Sequence, residues 1–230
     1  MMYPYPKTYT ETLDNCFHAM TSLDISAQEA NDFCNKLDKI FDGQSISSCF
    51  GKRIGAGSFK EVYQLGNTCV IKFCAGENDT ENESCLLNEA IDRGFEDLFV
   101  PSYFIPLPSE NFVNLEYFTF DDEIEEDGKV VYLEHRTYAE TIIIQPLVES
   151  LPAQTSVKSG RLFDPVSGKE ITPSSVFYFL EWTQDIINLY GASYFRDFMK
   201  FTNEFHIRDL HEENIGYYQG KPIIFDWLSD

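Results

Sequence analysis

The sequence is short of positive charge. Across 230 residues, 17 lysines and arginines stand against 38 aspartates and glutamates, a formal net charge of -21. Such a surface repels phosphate backbones and anionic lipid headgroups, which argues against general nucleic-acid binding and a membrane-surface role. A nucleotide can still bind where a few local cations or a metal ion offset the field. The six cysteines, at positions 16, 34, 49, 69, 74 and 85, include no CxxC pair. A chain of this length and apolar content needs no disulfide staples, so they read as reduced thiols. The opening MMYPYPKTYTETLDN has no basic region followed by an apolar run, and no apolar stretch is long enough for a membrane span. A cytoplasmic location is expected, with delivery into a host cell by a signal-free route left open. There is no GxxxxGK[ST] phosphate loop and no internal repeat. His211-Glu212 lacks the second histidine of a zinc-binding HExxH, and the acidic run 121–128 lacks EF-hand spacing.

Apolar residues, at 43 %, and aromatics, at 15 %, suffice for a sizeable core. Residues 1–23, with two early prolines, read as a loose arm. Ser26 then opens a helical pattern through Ala30, Phe33, Leu37, Ile40 and Phe41, closed by Gly43. From Phe50 the period changes. A short run at 62–65, a Gly66-Asn67 turn and a run at 69–73 predict a β-hairpin. Residues 81–93 read as helix. Runs at 112–120, 130–133 and 141–148 read as strands, with the acidic 121–128 segment as a solvated hairpin tip. Residues 149–174 read as a polar connector. Residues 175–204 read as one long helix burying Phe179, Trp182, Ile186, Ile187 and Leu189, and the tail as short runs and turns.

Five elements carry chemistry. Gly55-Ala56-Gly57-Ser58, ahead of Val62, lets backbone N–H groups approach phosphate oxygens with no Cβ in the way. A strand follows it, which argues against a dinucleotide turn leading into a helix; an ordinary glycine turn is the competing reading. Lys72 sits in Val70-Ile71-Lys72-Phe73, where an ammonium in a mostly buried strand requires an anion. The alternative is a lysine facing water on an alternating strand. Glu89 is the candidate carboxylate on the next helix, with Glu81 and Glu83 competing. Asp209 and Asn214 lie five apart in Asp209-Leu210-His211-Glu212-Glu213-Asn214, so one tight loop can turn both to one cavity. Asp209 would accept or orient the proton of an attacking hydroxyl. Asn214 offers a neutral oxygen to magnesium, and Asp226 ends the apolar run Ile223-Ile224-Phe225. Capping and turn duties are the competing reading for these three.

In this order (glycine loop, strand lysine, helix glutamate, Asp/Asn loop, strand aspartate) residues 50–230 resemble the protein-kinase-like superfamily. The Asp-Leu-His-x-x-Asn form is also similar to aminoglycoside phosphotransferases and small phage-encoded kinases. The resemblance implies an α+β, two-lobed protein-kinase-like fold with a β-rich N-lobe and a reduced helical C-lobe. It implies a division into an extension with one helix (1–49), N-lobe and hinge (50–148) and truncated C-lobe (149–230). It implies ATP and Mg2+ as cofactors, held by Gly55, Ala56, Gly57, Ser58, Val62, Lys72 and Glu89, with Asn214 and Asp226 on the metal and Asp209 and Lys72 catalytic. Residues 141–148 would be the last strand and hinge, receiving adenine near Gln145 and Leu147, with Ile144 guarding the back pocket.

The chain departs from the family pattern in places. Lys60 stands where a third glycine is usual and adds a cation. Ile207 stands at the usual histidine, and Trp227-Leu228 replaces Phe-Gly. The chain ends four residues after Asp226, with no activation segment or later helices, which weakens a peptide-docking role more than nucleotide binding. The expectation is a kinase-like phosphotransferase acting on a protein serine or threonine or on itself, with a protein substrate or activating partner. The alternatives are a pseudokinase-type nucleotide-sensing or interaction module, and a small-molecule kinase.

Overall fold

The computed structural model describes residues 1–57, 60–126, 129–151, 161–172, 180–207, 210–211 and 213–227. The chain is mixed α and β, with antiparallel sheets. It divides into two units: Met1–Thr80 with Pro101–Leu147, and Glu81–Val100 with Val148–Asp230.

The first unit opens with three helices, α1 (Tyr9–Ser22), α2 (Ala27–Phe41) and α3 (Ile46–Phe50). Each begins at a hydroxyl cap: Thr8, Ser26 and Ser45 accept the N–H groups of Glu11, Glu29 and Ser48. The structure follows the predicted spacing in α2, where Ala30, Phe33, Leu37 and Ile40 are buried. It corrects the loose arm, and the one-helix extension becomes three helices. Cys16, Ala19 and Met20 of α1 are fully buried and share a single core with the sheet. Their stripe, completed by Thr12, is made of small or weakly apolar side chains, so its period is faint in the sequence.

Against these helices lie β1 (Gly55–Gly57), β2 (Lys60–Leu65), β3 (Cys69–Cys74), β4 (Tyr103–Pro106) and, after the paired strands β5 (Val113–Glu126) and β6 (Lys129–Ala139), β7 (Thr141–Pro146). The five-stranded order is β1-β2-β3-β7-β4. Val62 pairs with Lys72, Lys72 with Ile143, and Phe104 with Ile143. Residues opposite one another share a face. One face therefore carries Tyr63, Ile71, Phe73, Ile142 and Ile144, which join the helices in the core. The other carries Lys60, Val62, Lys72, Ile143, Gln145 and Phe104.

The acidic run is mostly strand rather than hairpin tip. Asp121 pairs with Glu134, Glu123 with Tyr132 and Glu126 with Lys129, and only positions 127–128 fall outside the described residues.

The second unit contains most of α4 (Glu77–Asp92), then β8 (Glu149–Ser150), β9 (Leu162–Phe163), β10 (Glu170–Ile171), α5 (Leu180–Tyr190), α6 (Ala192–Glu204), β11 (Ile215–Tyr218) and β12 (Lys221–Ile224). The long helix expected over 175–204 is two helices. Gly191 breaks it at φ 92°, a conformation that favours glycine, and caps α6. Trp182, Ile186 and Ile187 are buried as expected, but Leu189 is 52 % exposed, because the phase of α5 carries it off the buried stripe. Phe179 lies outside the described residues. Phe95, Phe99, Phe198, Phe201 and Trp227 form the aromatic centre of this core. No helix among the described residues is long and apolar enough to cross a membrane.

Candidate functional site

In the second unit a hairpin joins two residues that stand twelve apart. Gln219 (φ 52°) and Gly220 (φ 75°) form the two-residue turn between β11 and β12. Positive φ at both positions is the turn whose twist suits a hairpin. This fixes Ile215 opposite Ile224. At the open end, the Asn214 carbonyl oxygen accepts the N–H of Phe225 at 2.9 Å and of Asp226 at 3.4 Å. Asn214 and Asp226 are thereby held side by side.

The loop before the hairpin is also tied. Asn214 N–H donates to the His211 carbonyl at 2.8 Å, and its side-chain amide lies 3.2 Å from His211 Nε2. His211 Nδ1 accepts the Glu213 N–H at 3.2 Å. Asn214 is only 8 % exposed. Asp209 lies outside the described residues.

Two contacts brace the hairpin. A Cβ on Gly216 would meet the Glu149 carbonyl oxygen at 2.2 Å, so β11 lies on β8 only because residue 216 has no side chain. Trp227, directly after Asp226, is 2 % exposed, sits edge-on to Phe99 at 5.1 Å, and donates from Nε1 to the Glu83 carbonyl at 3.1 Å. Asp226 is thus held on one side by Asn214 and on the other by an indole locked to α4.

On α4, the acid that the helix buries is Glu83, not Glu89. Glu83 is 5 % exposed, on the stripe with Ser84, Leu87 and Ala90. Glu89 is exposed, its carboxylate 3.6 Å from Arg93 Nε. Arg93 also makes two hydrogen bonds to Glu204, at 2.6 and 2.8 Å, and its guanidinium lies over the Phe201 and Phe205 rings. The Glu204 carboxylate raises the pKa of Arg93 and is itself lowered by it. Extending the Leu86, Leu87, Ala90 spacing back by three, four and seven residues reaches Glu83, a signal already present in the sequence.

In the first unit, Gly55, Ala56 and Gly57 form β1 and pair back onto β2, with Gly55 opposite Val62 and Gly57 opposite Lys60. The glycine segment is one arm of a hairpin, and Ser58 lies outside the described residues. Lys72 is 4 % exposed, in the middle of the sheet and opposite half-buried Val62.

The back-pocket and hinge expectations need correction. Ile144 is fully buried on the helix-facing side, opposite Ile71, so Ile143 and Gln145 share the Lys72 face instead. The Leu147 N–H is already donated to the Thr68 carbonyl at 2.8 Å, closing the end of the β3–β7 ladder, and is not left for an adenine. Gln145 is buried and donates from Nε2 to Ser102 Oγ at 2.8 Å.

The chemistry of two second-unit residues is compatible with magnesium. Asp226 and Asn214, whose backbones are hydrogen-bonded, carry oxygen groups of the hard type that take this ion together with phosphates and water. Among the described residues no group of three or more His, Cys, Asp and Glu side chains is gathered for a metal. Comparisons with protein-family models, with curated proteins and with solved structures each found no match to this chain.

Proposed function

We propose that the chain is an ATP- and magnesium-dependent, kinase-like phosphotransferase that modifies a protein serine or threonine, or itself. The observation that carries this reading is the juxtaposition of Asn214 and Asp226 at the open end of the β11–β12 hairpin. Two residues with oxygen-bearing side chains, twelve apart in sequence and one of them buried, have their backbones joined at a hairpin end braced by Gly216 and Trp227.

The reading gives each unit a task. In the first, Lys72 supplies a buried cation for phosphate oxygens beside the Gly55–Gly57 strand. In the second, Asn214 and Asp226 hold magnesium, which when bound supplies charge neutralisation for the transferring phosphate. Asp209 orients the acceptor hydroxyl and takes its proton. Glu83 replaces Glu89 as the proposed α4 carboxylate, because of the two α4 buries the former. Gln145 or Ile143 replaces Ile144 as the side chain beside the base. The finer fold, a two-lobed kinase-like arrangement, is part of the same proposal.

The test is phosphoryl transfer from labelled ATP with magnesium by wild type, Asp226→Asn, Asn214→Ala and Asp209→Ala. Label should appear with wild type and fall by about a hundredfold or more in the aspartate variants. Equal labelling in all four sinks the reading. Stabilisation by Mg-ATP without transfer would instead mark a nucleotide-sensing module.

A further inference from the structure

In the first unit, α2 and the end of β2 line a surface cleft of about 430 Å³, a size that suits a small ligand. The helix supplies two carboxylates, Glu29 and Asp32, and two ammonium groups, Lys36 and Lys39; Leu65 and Gly66 line the strand side. These charges are sorted along the helix rather than cancelled. Asp32 and Lys36 stand at the i,i+4 spacing that favours an ion pair. Instead, Asp32 Oδ1 accepts from Gln28 Nε2 at 3.0 Å, and the Lys36 ammonium lies 5.2 Å from the centre of the Phe50 ring. Among the described residues neither Lys36 nor Lys39 makes an ion pair. Glu29 Oε2 accepts from Ser26 Oγ at 2.7 Å, and a Cβ on Gly66 would stand 3.0 Å from Oε1, so a side chain at 66 would crowd that carboxylate.

The cleft therefore has an acidic end and a basic end. Glu29 and Lys36 are seven residues apart, as are Asp32 and Lys39, which is two helical turns or about 10 Å along the axis. A ligand with a cation at one end and an anion at the other meets both ends at once if its charges are spread by that length. A free amino acid spans only about 3 Å from its nitrogen to its carboxylate, whereas an extended peptide of three residues spans about 10 Å. We propose that this cleft binds a short peptide, about three residues long, through its two free ends: the amino group at Glu29 and Asp32, the carboxylate at Lys36 and Lys39. The site uses none of the residues assigned to phosphoryl transfer and does not depend on that reading. Its charges lie at the surface, so binding is weak and falls with added salt.

The experiment is calorimetric binding to the full chain at low salt of trialanine, N-acetyltrialanine, trialanine amide and free alanine. Trialanine should bind saturably, and the other three should each bind at least about threefold more weakly. Asp32 and Lys39 are both exposed, so their substitution leaves the core intact. Lys39→Met should weaken trialanine by about threefold or more and erase its advantage over the amide, while keeping its advantage over the acetylated form. Asp32→Asn should do the reverse. Lys39→Arg should bind like wild type. Circular dichroism checks folding, and if a variant does not fold, the four ligands on wild type decide the matter. No saturable binding of trialanine, or equal binding of the free and capped peptides, overturns the proposal. Loss on amidation alone also overturns it, because that marks a site for anions rather than for the two ends of a peptide.

Discussion

The indole N–H of Trp227 donates to the carbonyl oxygen of Glu83 at 3.1 Å, across 144 residues of sequence. It fixes the chain directly after Asp226 to the helix that buries Glu83. Trp227→Phe keeps the edge-on packing against Phe99 but removes the donor, and should cost about 1 kcal/mol. Trp227→Ala also leaves a cavity and should cost about 3–5 kcal/mol. Urea unfolding of both variants checks this. A neutral Trp227→Ala would mean that the indole does not hold the segment.

Glu83 and Glu89 separate cleanly by substitution. Under the proposed reading, Glu83→Gln should reduce labelling from ATP by tenfold or so, because it removes the carboxylate that α4 buries. Glu89→Gln should leave transfer unchanged and alter stability by less than about 0.5 kcal/mol, since Arg93 retains both hydrogen bonds to Glu204. The reverse pattern would return the role to Glu89.

Gly216→Ala should be among the most damaging single-methyl additions in the second unit. The new Cβ would stand 2.2 Å from the Glu149 carbonyl oxygen, and backbone cannot swing aside as a long side chain can. A loss of about 1–3 kcal/mol in chemical unfolding is expected, with weaker magnesium-dependent ATP binding as the hairpin shifts. Full retention of both would show that β8 yields easily.

Alkaline pH should destabilise the first unit through its thiols. Burial pushes Cys34 up to about 11 and Cys69 up to about 12, and puts Cys16 well above its usual value of 9.0. A raised folded-state pKa contributes stability that is complete below the unfolded value and is lost as pH rises toward the folded one. Denaturation midpoints should therefore hold up to about pH 9 and fall between roughly pH 9 and 12. Cys69→Ala should flatten that fall. At pH 8 exposed Cys85 should react with a thiol reagent far faster than Cys16, Cys69 or Cys74. Rapid native-state labelling of Cys69 would contradict its burial.

Much of the local structure was legible because local chemistry wrote it. Ser26 and the Ala30, Phe33, Leu37, Ile40 stripe defined α2, and the Gly66-Asn67 turn between two apolar runs defined the β2–β3 hairpin. Lys72, Asn214 and Asp226 stood out because buried strands and tight loops rarely carry such groups without cause. Helix α1 was missed because Thr12, Cys16, Ala19 and Met20 make a weak stripe that only the neighbouring helix and sheet complete. The break at Gly191 was hidden because a glycine inside an apolar pattern announces nothing until its φ is known.

The sequence by itself determined which residue types are present to meet a phosphate and a hard metal ion, and in what order. Tertiary structure decided which of them are buried and which are brought together. Strand register assigned Ile144 to the core and set Lys60 beside Lys72, since a period of two leaves the choice of face to the partner strand. Helix phase buried Glu83 and left Glu89 to Arg93. The pairing of Asn214 with Asp226 came from a hairpin whose turn lies midway between them, a contact that no spacing rule along the chain contains.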